Sequence, residues 1–385
     1  MEVTLPLCGS LIRGGSVTQP ARDDQEGTVM RTYLDSTRSR RLVGAVLATV
    51  VVAVGSLTAC SEAGGGEKGS ITYAGFGGTY EEAVKAALFD PYSKETDVKV
   101  LYDSSGSDVA KLVQMSKSGS MNLDLIDAED SSLAQFMAAD ILQPIDTKSL
   151  EGFADPSAVT EYSVPWYTFS RNLFWNKDEV PGGLDSWADL FDTKKIPGKR
   201  GLVALPWGIL EGALIADGVP VDQLYPLDLD RAFAKLDTIR KDTVFFPSNG
   251  DLQNAISQGE IALGYGNLAR IKSIAESGAV PLDYTWKGAV LSVQQLVIPK
   301  GAPDQPDAFE AIKYSLKPEV QTAMMEKLGY TPSLKSVLDG LDAETRADLP
   351  GTQETASDET FRIDVDWWAK NGADVLKRWQ DWQNA

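Results

Sequence analysis

The sequence predicts an α/β fold with largely parallel sheets. Three observations lead there. The chain has 385 residues, room for two domains. From Ile71 onward, short strand-like segments alternate with helix-like ones, the pattern of sheets covered by helices. No apolar run long enough to cross a bilayer follows residue 60.

The elements follow in order. Ile71–Ala74 reads as a strand broken by Gly75-Phe76-Gly77-Gly78, after which Thr79 is a candidate N-cap. Glu81 and Glu82 suit the first turn of that helix, and Ala83, Val84, Ala87 and Leu88 form its apolar stripe. Val98–Tyr102 and Leu123–Ile126 read as the next strands, each followed by a helix, about 108–115 and 131–139. Pro165–Trp175 is a long aromatic strand-like run. Phe245–Asp251 reads as a loop whose Asp251 caps a helix to about Gln258. Ile261–Asn267 and Leu291–Pro299 are strands, while 307–316, 318–327 and about 364–382 are helices. In parallel sheets, ligands bind beyond the carboxyl ends of strands, which makes 76–80 and 127–132 candidate binding loops.

Composition removes several function classes. The chain has no histidine, the commonest general base and a favoured zinc ligand, so Ser-His-Asp and Cys-His arrangements are excluded and an ordinary catalytic zinc site is disfavoured. The formal charge is -19, and a surface this acidic repels phosphate backbones, so no nucleic-acid partner is expected. No cofactor, metal or catalytic residue is expected either.

The N-terminus reads as an address. Arg38, Arg40 and Arg41 precede an apolar stretch from Leu42 to Ser56. As a helix it would span roughly 22 Å, short of a hydrocarbon core of about 30 Å. A basic region, a short apolar region and then Leu57-Thr58-Ala59-Cys60 read as a lipoprotein signal peptide with lipid attachment at Cys60. Residues 61–70, SEAGGGEKGS, suit a flexible tether. Residues 1–29 make the basic region unusually long, so translation is expected to start at Met30. The expected location is extracytoplasmic, tied to the cell membrane by the lipid alone.

Several segments carry a resemblance. They are Gly77–Tyr80, Phe89–Val100, Asp124-Leu125-Ile126, Leu142–Asp146, Ser186–Phe191, Ile298–Pro303 and Gly329–Pro332. In order and spacing they resemble the extracellular solute-binding proteins of ABC importers, within them the spermidine/putrescine-binding group, over about residues 70–335. The resemblance implies a two-lobed fold of the type II periplasmic-binding kind with the solute between the lobes. It implies crossings near Pro165–Asn172, Tyr265–Asn267 and 315–325. Lobe 1 is then 71–166 with 267–317, and lobe 2 is 167–266 with 318–385. The implied role is capture of a small cationic solute, a polyamine foremost, for an ABC permease and its ATPase subunits.

The same resemblance nominates the ligand-binding residues. Phe76, Tyr80, Trp166, Trp207 and Tyr265 supply aromatic faces that attract cations and cover methylenes. Glu129, Asp130, Glu211 and Asp251 supply carboxylates for ammonium ends, and Ser132, Asn249, Asn267 and Gln294 supply hydrogen bonds. Trp187 and the C-terminal Trp367, Trp368, Trp379 and Trp382 are expected to pack rather than bind. The chain departs from the group at Gln294, where a carboxylate is expected, and at Ser292, where a tryptophan is expected. That departure leaves open an amino-acid derivative, a sugar or an aminophosphonate, the last calling on Arg270 or Lys287. A carboxylate-based hydrolase and a ferric-ion binder are the other readings. No outstanding carboxylate pair supports the first, and no Tyr-Tyr pair or histidine supports the second.

Overall fold

The computed structural model describes residues 69–106 and 108–385. The signal peptide, Cys60 and nearly all of the tether lie outside the described residues. Ten strands form one sheet: β1 Ser70–Ala74, β2 Lys99–Asp103, β3 Leu125–Glu129, β4 Ser163–Asn176, β5 Arg200–Val203, β6 Thr243–Phe246, β7 Leu263–Asn267, β8 Leu282–Val297, β9 Thr331–Pro332 and β10 Phe361–Arg362. The order is β2-β1-β3-β8-β4-β7-β5-β6, with β10 on β8 and β9 on β4.

The two flanks are parallel, as the strand–helix alternation predicts. β1 pairs in parallel with β2 and β3, and β5 with β6 and β7. The centre is antiparallel: β8 runs against β3 and β4, and β4 runs against β7. The long β4 and β8, of 14 and 16 residues, join the flanks.

Two hydrophobic assemblies flank this centre. Ile71, Tyr73, Leu88, Trp166 and Ile312 share one cluster. Trp187, Leu202, Leu210, Phe233, Trp368 and Trp379 share another. Trp187 is fully buried and donates from Nε1 to the Gly288 carbonyl at 2.9 Å. Gly288 adopts φ 75°, and a Cβ there would lie 2.8 Å from the indole, so only glycine fits.

The structure revises the expected crossings. The second crossing is β8, not Tyr265–Asn267, because β7 pairs only with β4 and β5. The region 315–325 lies largely in the helix Pro318–Leu328, whose Val320 and Met324 pack with Ile71 and Tyr73. The helix Leu268–Ser277 packs its Ile271 and Ile274 against Phe174 and Leu252, beside the second flank. Thr79 is the first helical residue, and Gly78, at φ 71°, holds the cap position. Phe245 and Phe246 belong to β6 rather than to a loop.

Candidate functional site

A cavity of about 500 Å³ opens where the carboxyl ends of β3 and β7 meet the central strands. That volume falls within the range of about 300–1,000 Å³ usual for small-molecule sites. Local structure explains how each wall forms.

From the first flank, Phe76 stands 40% exposed at the rim and meets Tyr80 edge-on, centroids 5.7 Å apart. Gly106, at φ 71°, lets the chain pass beside it, since a Cβ there would lie 3.3 Å from the Phe76 ring. Tyr80 is buried on the helix Thr79–Val84. Glu129 ends β3 and accepts from Ser131 Oγ at 2.6 Å.

The floor comes from β4. Tyr167, Phe169 and Arg171 alternate along the strand and therefore share one face, the face that lines the cavity. Tyr330 stacks on Tyr167, with centroids 4.6 Å apart and planes at 10°. Arg171 donates to Glu129 Oε2 at 2.8 Å and to Ser292 Oγ at 3.2 Å. The guanidinium holds the Glu129 carboxyl below its ordinary range although burial pushes it upward. Gln294, almost fully buried, adds an amide from β8.

The second flank contributes helix starts. Asn249 opens the helix Asn249–Ser257, and Gln253 follows one turn on. Asn267 caps the helix Leu268–Ser277 by accepting from the Arg270 amide. Arg270 in turn donates to Gln253 Oε1 at 2.5 Å. Lys327 reaches the same cavity from the end of Pro318–Leu328. A narrow extension of about 30 Å³ runs between Glu129, Arg171, Trp207, Asn249 and Tyr265.

The structure thus gathers Phe76, Tyr80, Glu129, Asn249, Asn267 and Gln294 around one cavity, and Trp207 and Tyr265 around its extension. Five nominated residues stand elsewhere. Trp166 is 1% exposed and packs in the first core, because neighbouring strand residues face opposite ways. Asp130 is buried in an ion pair with Arg362 and also accepts from the Val293 amide at 3.1 Å. Ser132 is buried in the helix Asp130–Ala138. Glu211 is fully buried and accepts from the Gly208 amide, Tyr225 Oη and Trp368 Nε1 at 2.8, 2.5 and 2.9 Å. Asp251 accepts from Ser248 Oγ at 2.7 Å and serves the helix start. Lys287 pairs with Asp185 and Glu359, outside the cavity.

Sequence reasoning missed Tyr167, Phe169, Arg171, Gln253 and Tyr330 as residues lining the cavity. For the β4 trio, a signal existed: the odd-numbered positions carry the one cation of the strand. Among the described residues, no cluster of three or more acidic or thiol side chains is placed to hold a metal ion. No described helix is long and apolar enough to cross a membrane.

Two α/β flanks joined by long crossing strands, with a polar and aromatic cavity at their junction, define a periplasmic-binding-protein type of molecule. The chain belongs to the bacterial extracellular solute-binding protein family, whose sequence profile matches residues 87–351. It is 25% identical over 320 residues to the gamma-aminobutyric acid-binding protein of Pseudomonas aeruginosa, covering 81% of this chain and 90% of that protein. It is 25% identical over 323 residues to the spermidine/putrescine-binding periplasmic protein of Escherichia coli K12, covering 79% and 85%. The solved structure of a GABA receptor superposes with a TM-score of 0.74 at 32% identity, covering 82% of this chain and 97% of that one. A binding protein from A. tumefaciens R10 in complex with agropinic acid gives 0.72 at 31% identity, covering 82% and 98%. The protein is a substrate-binding component of the ABC-importer class.

Proposed function

We propose that this protein captures a small solute bearing both an ammonium and a carboxylate group, an amino acid or amino-acid derivative, and delivers it to an ABC permease without chemical turnover. One observation carries the choice. Arg171, Arg270 and Lys327 face the cavity against the single carboxylate of Glu129, which is itself paired to Arg171. A polyamine brings two or more positive charges and needs ionised partners for each once desolvated. This cavity offers a surplus of cations instead, which suits a carboxylate at the Arg171–Arg270 end. The aromatic wall of Phe76, Tyr80, Tyr167 and Tyr330 suits an ammonium with its methylenes. The relatives named for GABA and agropinic acid support this reading more than those named for polyamines.

The N-terminal motif at Cys60 supports attachment to the outer face of the membrane by lipid. The crossing strands support a hinge closing over the solute. Calorimetry against GABA, putrescine, spermidine, an agropinic-acid-sized conjugate and a neutral sugar tests the proposal. Saturable heat with a carboxylate-bearing amine, at least tenfold tighter than with putrescine, is expected. Tighter binding of putrescine or spermidine would reverse the assignment.

A further inference from the structure

Beneath the aromatic wall lies a buried acid that the cavity account does not use. Asp127 stands two residues before Glu129 on β3, on the same strand face and one step deeper. It has no exposed surface. Tyr73 Oη donates to its Oδ2 at 2.8 Å, and Tyr80 Oη donates to the same oxygen. Tyr167 Oη donates to Tyr80 Oη at 3.0 Å, so a file of phenols links the carboxyl group to the cavity surface. The Gln294 side chain from β8 lies beside the same carboxyl, and its hydrogen bonding lowers the acid as the two tyrosines do.

The groups around Asp127 are all neutral or acidic. Tyr73 faces it from β1, Tyr102 from β2, Tyr80 from the first helix, Tyr167 from β4 and Tyr330 from the loop after Pro318–Leu328. Glu129 is the nearest charge on its own strand, and it carries the same sign. Asp127 takes part in no ion pair among the described residues. A carboxylate in this position is desolvated without a cation to offset the cost.

We propose that Asp127 is the hidden counter-charge of a cation subsite, and that a primary ammonium group entering the aromatic wall expels the proton that Asp127 carries in the empty protein. The proposal rests on the amine-and-carboxylate reading of the cavity. The O–H bond of the carboxylic acid breaks, its electron pair stays on the carboxylate, and the proton passes to solvent. The arriving ammonium supplies the positive charge, so the buried charge is balanced throughout. Burial pushes the Asp127 carboxyl up to about 7, with the tyrosine hydroxyls and the Gln294 side chain pulling the other way. The acid is therefore partly protonated at neutral pH, poised to respond to a nearby cation. An aromatic wall alone selects for cations weakly, whereas a net charge beneath it rejects neutral isosteres.

Isothermal calorimetry of the wild-type protein with GABA, in PIPES and in ACES at several pH values, reads the released proton directly. The two buffers have different ionisation enthalpies, so proton release makes the observed heats diverge. Divergence equal to about half a proton is expected at pH 7, falling to about a tenth of a proton at pH 8. Affinity is expected to fall by up to about tenfold per pH unit below about 7. Asp127→Asn, nearly isosteric with the protonated acid, is expected to bind with buffer-independent heats and flat affinity between pH 5.5 and 8. Equal heats in both buffers with GABA binding intact would overturn the role of Asp127 and leave the proposed function standing. If GABA gives no heat, putrescine is the probe for the same comparison, and heat from neither amine would overturn both proposals. Butyrate, which lacks the amine, is expected to release no proton; release on butyrate binding would assign the proton to another group.

Discussion

Replacing Arg362 with methionine is expected to destabilise the protein at neutral pH by about 3–5 kcal/mol, the usual cost of stranding one member of a buried ion pair. The geometry sets that magnitude. Arg362 Nε and Nη2 grip the two Asp130 oxygens at 2.7 and 2.6 Å in a bidentate fork. The Asp130 side chain is 1% exposed, so water cannot replace the guanidinium. The Val293 amide would remain as a donor to the carboxylate, at 3.1 Å. Burial already pushes the Asp130 carboxyl upward while Arg362 pulls it back. Removing Arg362 raises it further, and a raised acid costs stability as pH climbs from its unfolded value through its folded one. The deficit should therefore be small at pH 4 and full at pH 8. Urea unfolding followed by tryptophan fluorescence measures it, and Arg362→Met combined with Asp130→Asn should recover most of the loss. A single variant that costs under about 1 kcal/mol, or a deficit unchanged between pH 4 and pH 8, would refute the reasoning. Asp130 begins the helix directly after Glu129, so the same variant should also weaken solute binding, because the clamp seats the start of that helix against β8.

Three further outcomes follow from the same geometry. Arg171→Gln should reduce affinity for a carboxylate-bearing amine by about 2–5 kcal/mol in calorimetry, since it removes the carboxylate anchor and strands Glu129. Arg270→Gln, which leaves Glu129 paired, should cost less. Relative to Asp127→Asn, the wild type should lose folding stability between about pH 4 and pH 7 in urea titrations, as the unfolded chain, but not buried Asp127, gives up its proton. The upward shift to about 7 makes that difference about 4 kcal/mol. Glu211→Ala should destabilise by about 1–3 kcal/mol per donor stranded among the Gly208 amide, Tyr225 and Trp368, and shift the Trp368 emission, while leaving solute affinity largely intact.

Much of the fold could be read from the sequence because periodicity and capping are local. The helix predicted from Asp251 to about Gln258 forms as Asn249–Ser257, and the long C-terminal helix predicted from Asp364 forms as Val365–Asn384 with Asp364 as its cap. The first half of β8 is not legible in the sequence because Asp283, Tyr284, Thr285, Trp286 and Lys287 show no apolar alternation. Their pairing with Leu173–Asn176 is a long-range fact. The site was harder still. On β4 the aromatic run is legible but its facing is not: Tyr167 lines the cavity while Trp166 lies in the core, and a one-residue slip exchanges core for cleft. Glu211 and Asp130 looked like ligand carboxylates because acidic residues beside aromatics suit a cation. Trp368, one of the three donors to Glu211, lies 157 residues away, and Arg362, the partner of Asp130, lies 232 residues away. No pattern within a helix announces such partners.

The irregularities of β4 have a mechanical consequence. The ladder with β8 shifts register between Pro165 and Tyr167 and again between Arg171 and Leu173. Bulges bend strands and concentrate twist where they interrupt pairing. Tyr167, Phe169 and Arg171 therefore occupy a stiff panel between two creases in the ribbon that connects the flanks. A force that folds one flank toward the other is absorbed at the creases, and the panel travels as a unit with its spacing preserved. The solute would then press on the part of the connecting ribbon that deforms least, and its shape would set how far the creases turn.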